Sequence, residues 1–365
     1  MRPPKLDYLP RGPRFPKRHK LGLIGCGGIS RYHLEAAKSF GVEVVALADV
    51  NPAAAEKRRD EFYPQAAVYA DHRELLARGD ITAVEIATHT PVRAPQIEDA
   101  LKAGKHVLSQ KPFVFDLATG RRLVALAARK KLRLAVNQNG RYAPQFAALL
   151  AAVRQGLLGE IYTLDMVMAW DHTWCRGMPY EDQHHLILCD FAIHWFDAAT
   201  CVFAGRKPRS VFANAVRAPR QDMKPPMLTN AVVNYGDGLA TLGFSAYESL
   251  APLEFLCCVG SKGTLRGIGN VNRITEVELT TKKGAWKMPL QGNWFPDGFR
   301  GALGEFLRSL EENRESTLNA RDNLRSLELC FAALASADTG QPVKPGRAHM
   351  GGSDHSSIRT TILPN

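Results

Sequence analysis

The chain has 365 residues, of which 45% are hydrophobic and 23% charged. This is an ordinary globular composition that excludes wholesale disorder and fibrous repeats. At about 100–200 residues per domain the length suits two domains. No apolar stretch approaches the roughly 18 residues of a membrane-spanning helix, and the Pro- and Arg-rich start lacks the apolar core of a secretory signal. A cytoplasmic protein without a membrane partner is expected. Seven cysteines, odd in number and without C-x-x-C spacing, point to reduced thiols rather than a disulfide framework or zinc ribbon. The net charge of +11 would suit nucleic acid, but +6 of it lies in residues 1–20. Residues 1–19 therefore read as a solvated or subunit-wrapping arm, and no nucleic-acid partner is expected. An arm that grips duplex phosphates is the alternative.

From Lys20 onward, short apolar runs alternate with helical patterns. Strands are expected at 21–24, 42–48, 67–69, 83–87, 106–108 and 132–136, with helices at 32–40, 53–62, 71–78, 95–103 and 117–130. Wholly apolar strands separated by helices predict a doubly wound parallel sheet, an α/β Rossmann domain over 20–140. Residues 141–346 read as an α+β domain. There a helix at 146–155 and an alternating strand at 161–170 precede an apolar helix at 185–203. Strand patterns at 210–217, 228–235, 239–246, 253–259 and 275–281 follow, two of them joined by Gly236-Asp237-Gly238. They predict a large, mostly antiparallel open sheet. Helices at 299–312 and 320–337 are expected to pack back on the first domain, with 347–365 as a tail.

The chemistry begins at Gly25-Cys26-Gly27-Gly28-Ile29-Ser30, where the first strand meets the first helix. Glycines permit the tight turn and close approach of a pyrophosphate, and the helix N-terminus supplies free N–H groups. Asp49, at the end of the next strand, answers the motif. Its carboxylate suits ribose hydroxyls and repels a 2′-phosphate, so NAD is favoured over NADP. Arg58 and Arg59 lie deep in the following helix, too far to rescue NADP binding. Lys111, in Ser109-Gln110-Lys111-Pro112, closes a strand at the edge where such sheets present ligand groups. A solvated surface lysine is the competing explanation. Asp190, His194 and Asp197 share one face of an apolar helix, at i, i+4 and i+7. Burying them is costly unless they pair or do chemistry. A carboxylate one turn from a histidine can orient a general base, or the two can simply satisfy one another. A metal site is not expected: no H-E-x-x-H spacing occurs, and the adjacent His184 and His185 should point in different directions.

These motifs resemble those of the glucose–fructose oxidoreductase, inositol dehydrogenase and rhizopine-catabolism dehydrogenase (Gfo/Idh/MocA) family. The resemblance runs from about Lys20 to Gly346 and rests on three segments: the glycine fingerprint through Ser30-Arg31-Tyr32-His33, Ala103–Pro112 with its Gln110-Lys111-Pro112, and Asp190-Phe191-Ala192-Ile193-His194. It implies an NAD-dependent oxidoreductase acting on sugars, inositols or related polyols. Lys111 takes the place of the catalytic lysine, His194 of the acid/base histidine, and Asp190 of the aspartate that holds substrate and histidine. The cofactor would meet Gly25, Gly27, Gly28, Ile29, Asp49, Thr88, Gln110 and Lys111. Arg93, Tyr142, His172 and Trp174 are further candidates for substrate contact. The open sheet of the second domain commonly forms a subunit interface, so a homodimer or homotetramer is implied. Three departures stand out: Gln110 replaces a glutamate, Arg93 stands where many members have histidine, and Ala192 replaces a glycine. A non-catalytic NAD-binding sensor on the same fold is the rival function.

Overall fold

The computed structural model describes residues 2–346, so the expected tail at 347–365 lies outside the described residues. The first sheet contains β1 (Lys20–Ile24), β2 (Glu43–Ala48), β3 (Ala67–Tyr69), β4 (Ala83–Ile86), β5 (His106–Gln110) and β6 (Leu134–Asn137). All pairings are parallel and the order is β3-β2-β1-β4-β5-β6. β1 and β4 are neighbours, so the strand order reverses beside the glycine loop that follows β1, the position where doubly wound sheets open a crevice. β4, β5 and β6 are almost wholly buried, with Glu85, Ser109, Gln110 and Asn137 as buried polar residues among their apolar ones.

Helices α1 (Ser30–Ser39), α2 (Pro52–Phe62), α3 (His72–Leu76), α4 (Thr90–Lys102) and α5 (Leu117–Arg129) connect these strands. Asp71 caps α3 by accepting from the Arg73 N–H, and Asp116 caps α5 through the Thr119 N–H. Helix α4 starts five residues before the expected position and carries Pro95 inside it. A proline usually marks a first turn; here Pro91 does so and Pro95 is tolerated one turn later.

The second sheet has eight strands in the order β14-β13-β12-β11-β7-β10-β9-β8. They are β7 (Ile161–Ala169), β8 (Ser210–Val216), β9 (Leu228–Asn234), β10 (Leu239–Ser245), β11 (Leu253–Gly260), β12 (Gly263–Gly269), β13 (Glu276–Thr281) and β14 (Gly284–Pro289). All described pairings are antiparallel except β7 with β10. Two of these strands, β12 and β14, escape the sequence patterns. β12 carries three glycines, and at Gly267 a Cβ would stand only 2.8 Å from Ile274. That glycine serves close packing rather than a turn.

Helices α6 (Pro144–Arg154), α7 (Ile193–Val202) and α9 (Ala320–Thr339) line the buried face of this sheet, while α8 (Trp294–Glu311) packs on α1. Apolar residues of both sheets and of α9 merge in one core cluster. Fully burying each Phe, Leu or Ile there contributes about 1.5–3 kcal/mol. Among the described residues no helix is long and apolar enough to cross a membrane. The N-terminal arm lies on its own chain instead of standing in solvent. Leu6 and Tyr8 pack against the core, and the Arg14 and Phe15 N–H groups donate to Glu311 at 2.8 Å each.

Glu254 is a buried acid on β11 whose Oε1 accepts from Gln145 Nε2 at 3.0 Å. Burial pushes its pKa from 4.5 up to about 7 against the opposing hydrogen bonds of Gln145 and Asn272. The folded chain thus retains a proton that the unfolded chain releases, and stability falls as pH rises between those values. Glu254→Gln keeps the hydrogen bond and removes the titration. Compared with wild type, its urea unfolding free energy should gain about 2–3 kcal/mol between pH 4 and pH 8. An unchanged difference across that range would contradict the assignment.

Candidate active site

The glycine loop is shaped by Gly25, at φ +93°, where a Cβ would stand 2.8 Å from the Thr88 backbone nitrogen. Gly27 and Gly28 have no atom within 4 Å of where a Cβ would lie, so the loop presents open backbone ahead of α1. Ile29 is the N-cap of that helix, and Ser30 Oγ donates back to Gly27 O at 2.5 Å. Asp49 accepts from Cys26 N at 2.7 Å and from Asn51 N at 2.9 Å. A carboxylate has about four lone-pair positions, so two remain for ribose hydroxyls. Beside it a hollow of about 540 Å³ is lined by Val50, Ala70, His72, Val92, Pro95 and Gln96. Val50 and Val92 are exposed there, 91% and 52%, as apolar walls suited to a flat base. An open glycine cradle, a carboxylate with spare acceptors and an apolar slot fit a dinucleotide.

Arg58 corrects one expectation. From α2 it reaches back to the loop, with Nε 3.1 Å from Ser30 Oγ and Nη2 3.4 Å from Gly27 O, while Nη1 pairs with Glu61 at 2.7 Å. Distance in sequence hid this return of the helix.

Lys111 follows the last residue of β5. Its Nζ donates to Asp190 O at 2.8 Å and to Asp190 Oδ2 at 3.1 Å. Two distant segments are therefore brought together at the sheet edge. Asp190 belongs to a π-helical turn, Ile187–Phe191, that precedes α7. The expected continuous helix is interrupted there, and such turns re-aim single residues. Asp190 thus faces Lys111, and among the described residues it makes no hydrogen bond with His194, contrary to the expected carboxylate–imidazole pair. Asp197 turns elsewhere too. It binds Arg141 Nε at 2.5 Å, Arg141 Nη2 at 2.7 Å and Ser326 Oγ at 2.8 Å, a buried clamp between α7, α9 and residues 139–142.

His194 is buried, and its Nδ1 has no hydrogen-bond partner. A Cβ at Gly140 would lie 2.9 Å from that nitrogen, so Gly140 is required for the ring's position. The Trp294 ring stands edge-on to it at 5.3 Å. Burial, helped by the Lys111 charge, holds the imidazole pKa well below its ordinary value. His194 is therefore neutral near neutral pH. His172 is neutral for a second reason. Its Nδ1 accepts from Trp170 Nε1 at 2.9 Å and from Trp174 Nε1 at 3.3 Å. That fixes the proton on Nε2, while burial lowers its pKa to about 4. Its ring stands 5.4 Å from that of Phe191, the residue after Asp190.

Three other expectations fare differently. Gln110 is buried; its Oε1 accepts from Lys111 N at 2.8 Å, so it shapes the turn. Arg93 is buried with its guanidinium on the carbonyls of Thr88, Gln110 and Pro112, a brace for both loops rather than a receptor for a substrate carboxylate. Tyr142 lies against α8, its ring where a Gly301 Cβ would be and its hydroxyl 3.4 Å from Thr317 Oγ1. Trp174 is 59% exposed beside His172, and Thr88 Oγ1 meets Gln96 Oε1 at 2.6 Å. His184 and His185, expected to diverge, converge on Asp338. Sequence reading missed Gly140, because Asn139-Gly140 reads only as a turn, and the structure does place a 3-10 turn there, Asn139–Tyr142.

Residues 19–138 match the model of an oxidoreductase family with an NAD-binding Rossmann fold, GFO/IDH/MocA, and residues 146–266 match the GFO/IDH/MocA C-terminal domain. The chain belongs to this family. As a GFO/IDH/MocA oxidoreductase it is similar to the D-apiose dehydrogenase of Paraburkholderia graminis, at 28% identity over 343 residues and 90% of each chain. It also resembles the inositol 2-dehydrogenase of Rhizobium meliloti, at 26% identity over 325 residues, covering 87% of this chain and 96% of the other. An oxidoreductase from Agrobacterium radiobacter, solved with NAD+, L-tartaric acid and magnesium, shares the fold with a TM-score of 0.80 at 22% identity over 90% and 98% of the two chains.

Asp49→Ser removes the carboxylate while the glycine cradle stays. The KM for NAD should rise about 10-fold to 100-fold, since a hydrogen bond to a charged group contributes about 1.5–3 kcal/mol. The preference over NADP should shrink, measured as the ratio of kcat/KM values. An unaltered ratio would remove Asp49 from the cofactor site.

Proposed function

We propose that this GFO/IDH/MocA protein is an NAD-dependent dehydrogenase acting on a hydroxyl-bearing carbon of a sugar, inositol or glycoside. The observation that carries it is the Lys111–Asp190 contact, which sets an ammonium from β5 against a carboxylate from the second domain. NAD, when bound, supplies the hydride acceptor. Lys111 donates a hydrogen bond to the substrate oxygen and stabilises the charge that develops there as its proton leaves. Neutral His194 accepts that proton. Its Nδ1 is closed off by Gly140, which leaves Nε2 as the basic atom. Asp190 holds the lysine, and His172 offers an Nε2–H to a neighbouring hydroxyl. One cation and one anion leave the site near neutrality, which favours an uncharged polyol over an acidic substrate.

The relatives named for apiose and inositol support the same substrate class. NAD is preferred over NADP because Asp49 occupies the ribose position and Arg58 is already paired with Glu61. Residues 20–140 form the cofactor domain and 141–346 the substrate domain, with α8 and α9 joining them. The open face of the second sheet exposes Tyr162, Val167 and Ile268, at 49%, 40% and 67%, and we assign it to a second copy of the chain.

The test is Lys111→Met. Turnover with a panel of inositols, pentoses and glycosides, followed as NADH absorbance, should fall about 10²–10⁴-fold. NAD affinity, read by fluorescence, should change less than about threefold, because the variant leaves the glycine loop intact. Wild-type protein that binds NAD but reduces it with no polyol would favour the sensor reading instead.

A further inference from the structure

A separate group of ligating side chains lies outside the Lys111 and His194 constellation. His184 and His185 both direct Nε2 at one oxygen of Asp338, each at 2.8 Å, and their rings stand 3.9 Å apart. Consecutive residues do not normally present side chains together: they diverge by about 100° on a helix and lie on opposite faces of a strand. His185 overcomes this by adopting φ +50°, in the left-handed region. That conformation is strained for a residue with a Cβ. Hydrogen bonding alone is a poor reason for it, because His185 is buried and its Nδ1 meets no partner. An observed backbone outlier of this kind is a pointer to function.

We propose that His184, His185 and Asp338 bind a divalent transition-metal ion of the Zn²⁺ class, tying the segment before the π-helical turn to the end of α9. All three ligand atoms lie within 4.8 Å of one another. Donors around an ion at about 2.1 Å stand roughly 3.0–3.4 Å apart. The 2.8 Å separations therefore open by a few tenths of an ångström as the ion takes the Nε2 lone pairs and each neutral imidazole carries its proton on Nδ1. Two imidazoles and one carboxylate select against Mg²⁺ and Ca²⁺, which require oxygen donors. His184 is 57% exposed and gives the ion access from solvent, while His185, at 6%, anchors it. Asp190 follows His185 by five positions, so the ion fixes the segment that delivers the carboxylate to Lys111. This site stands apart from the dehydrogenase reading and does not rest on it.

The test uses full-length protein stripped with a chelator and melted with Zn²⁺, Co²⁺ or Mg²⁺. Zn²⁺ and Co²⁺ in about hundredfold excess over Kd should raise Tm by several degrees, and Mg²⁺ should not. His184→Ala, at an exposed position, should melt like wild type without metal and lose the rise with it; Asp338→Asn should lose the rise too. The Co²⁺ spectrum should lack thiolate charge transfer. No rise in wild type, a rise preserved in both variants, or a thiolate band would overturn the proposal.

Discussion

The site depends on one partly desolvated contact, the ammonium of Lys111 against Asp190. The side chains are 17% and 24% exposed, so water screens them little and either charge alone would be costly. The pairing is doubled, because the Asp190 carbonyl accepts from the same nitrogen. A backbone acceptor fixes the lysine against a main-chain position as well as a mobile carboxylate. Since Gln110 is neutral, Asp190 is the carboxylate that balances Lys111 at this edge. The cofactor sheet and the second domain are thereby registered on each other at the place where chemistry is proposed.

Arg93 and Arg141 support this contact from either side. Arg93 gathers the carbonyls of Thr88, Gln110 and Pro112, so the loops after β4 and β5 share one brace. Arg141 pairs bidentately with Asp197 and holds α7, which carries His194. Buried guanidinium groups with planar, satisfied forks fix geometry more firmly than they add stability. Both arginines therefore position other residues.

The fold was largely legible in the sequence because buried parallel strands are mostly apolar on both faces, and the short apolar runs of the first sheet carry that signature despite Glu85 in β4. The glycine loop, Asp49 and Lys111 could be placed because each sits at a strand end whose location the pattern determines. The π-helical turn could not be seen, because one inserted residue leaves hydrophobic spacing almost unchanged while rotating Asp190 relative to His194. β12 and β14 were hidden by glycines that serve close packing and by Lys282-Lys283-Gly284, which reads only as a turn. Arg93 and Tyr142 misled for a different reason. Sequence reports that a polar residue is near a motif, but not whether backbone carbonyls or a neighbouring helix already hold it.

The basic arm makes specific intramolecular contacts: Arg14 lies 3.2 Å from Glu312, and Glu311 accepts from two arm N–H groups and from His19 at 3.1 Å. These contacts sit at the C-terminal end of α8, where the helix dipole itself favours positive charge. The arm then continues into β1, so the segment that looked most like an appendage fastens α8 to the first strand of the cofactor sheet. Because α8 also carries Trp294 against His194, the arm helps set the wall of the site.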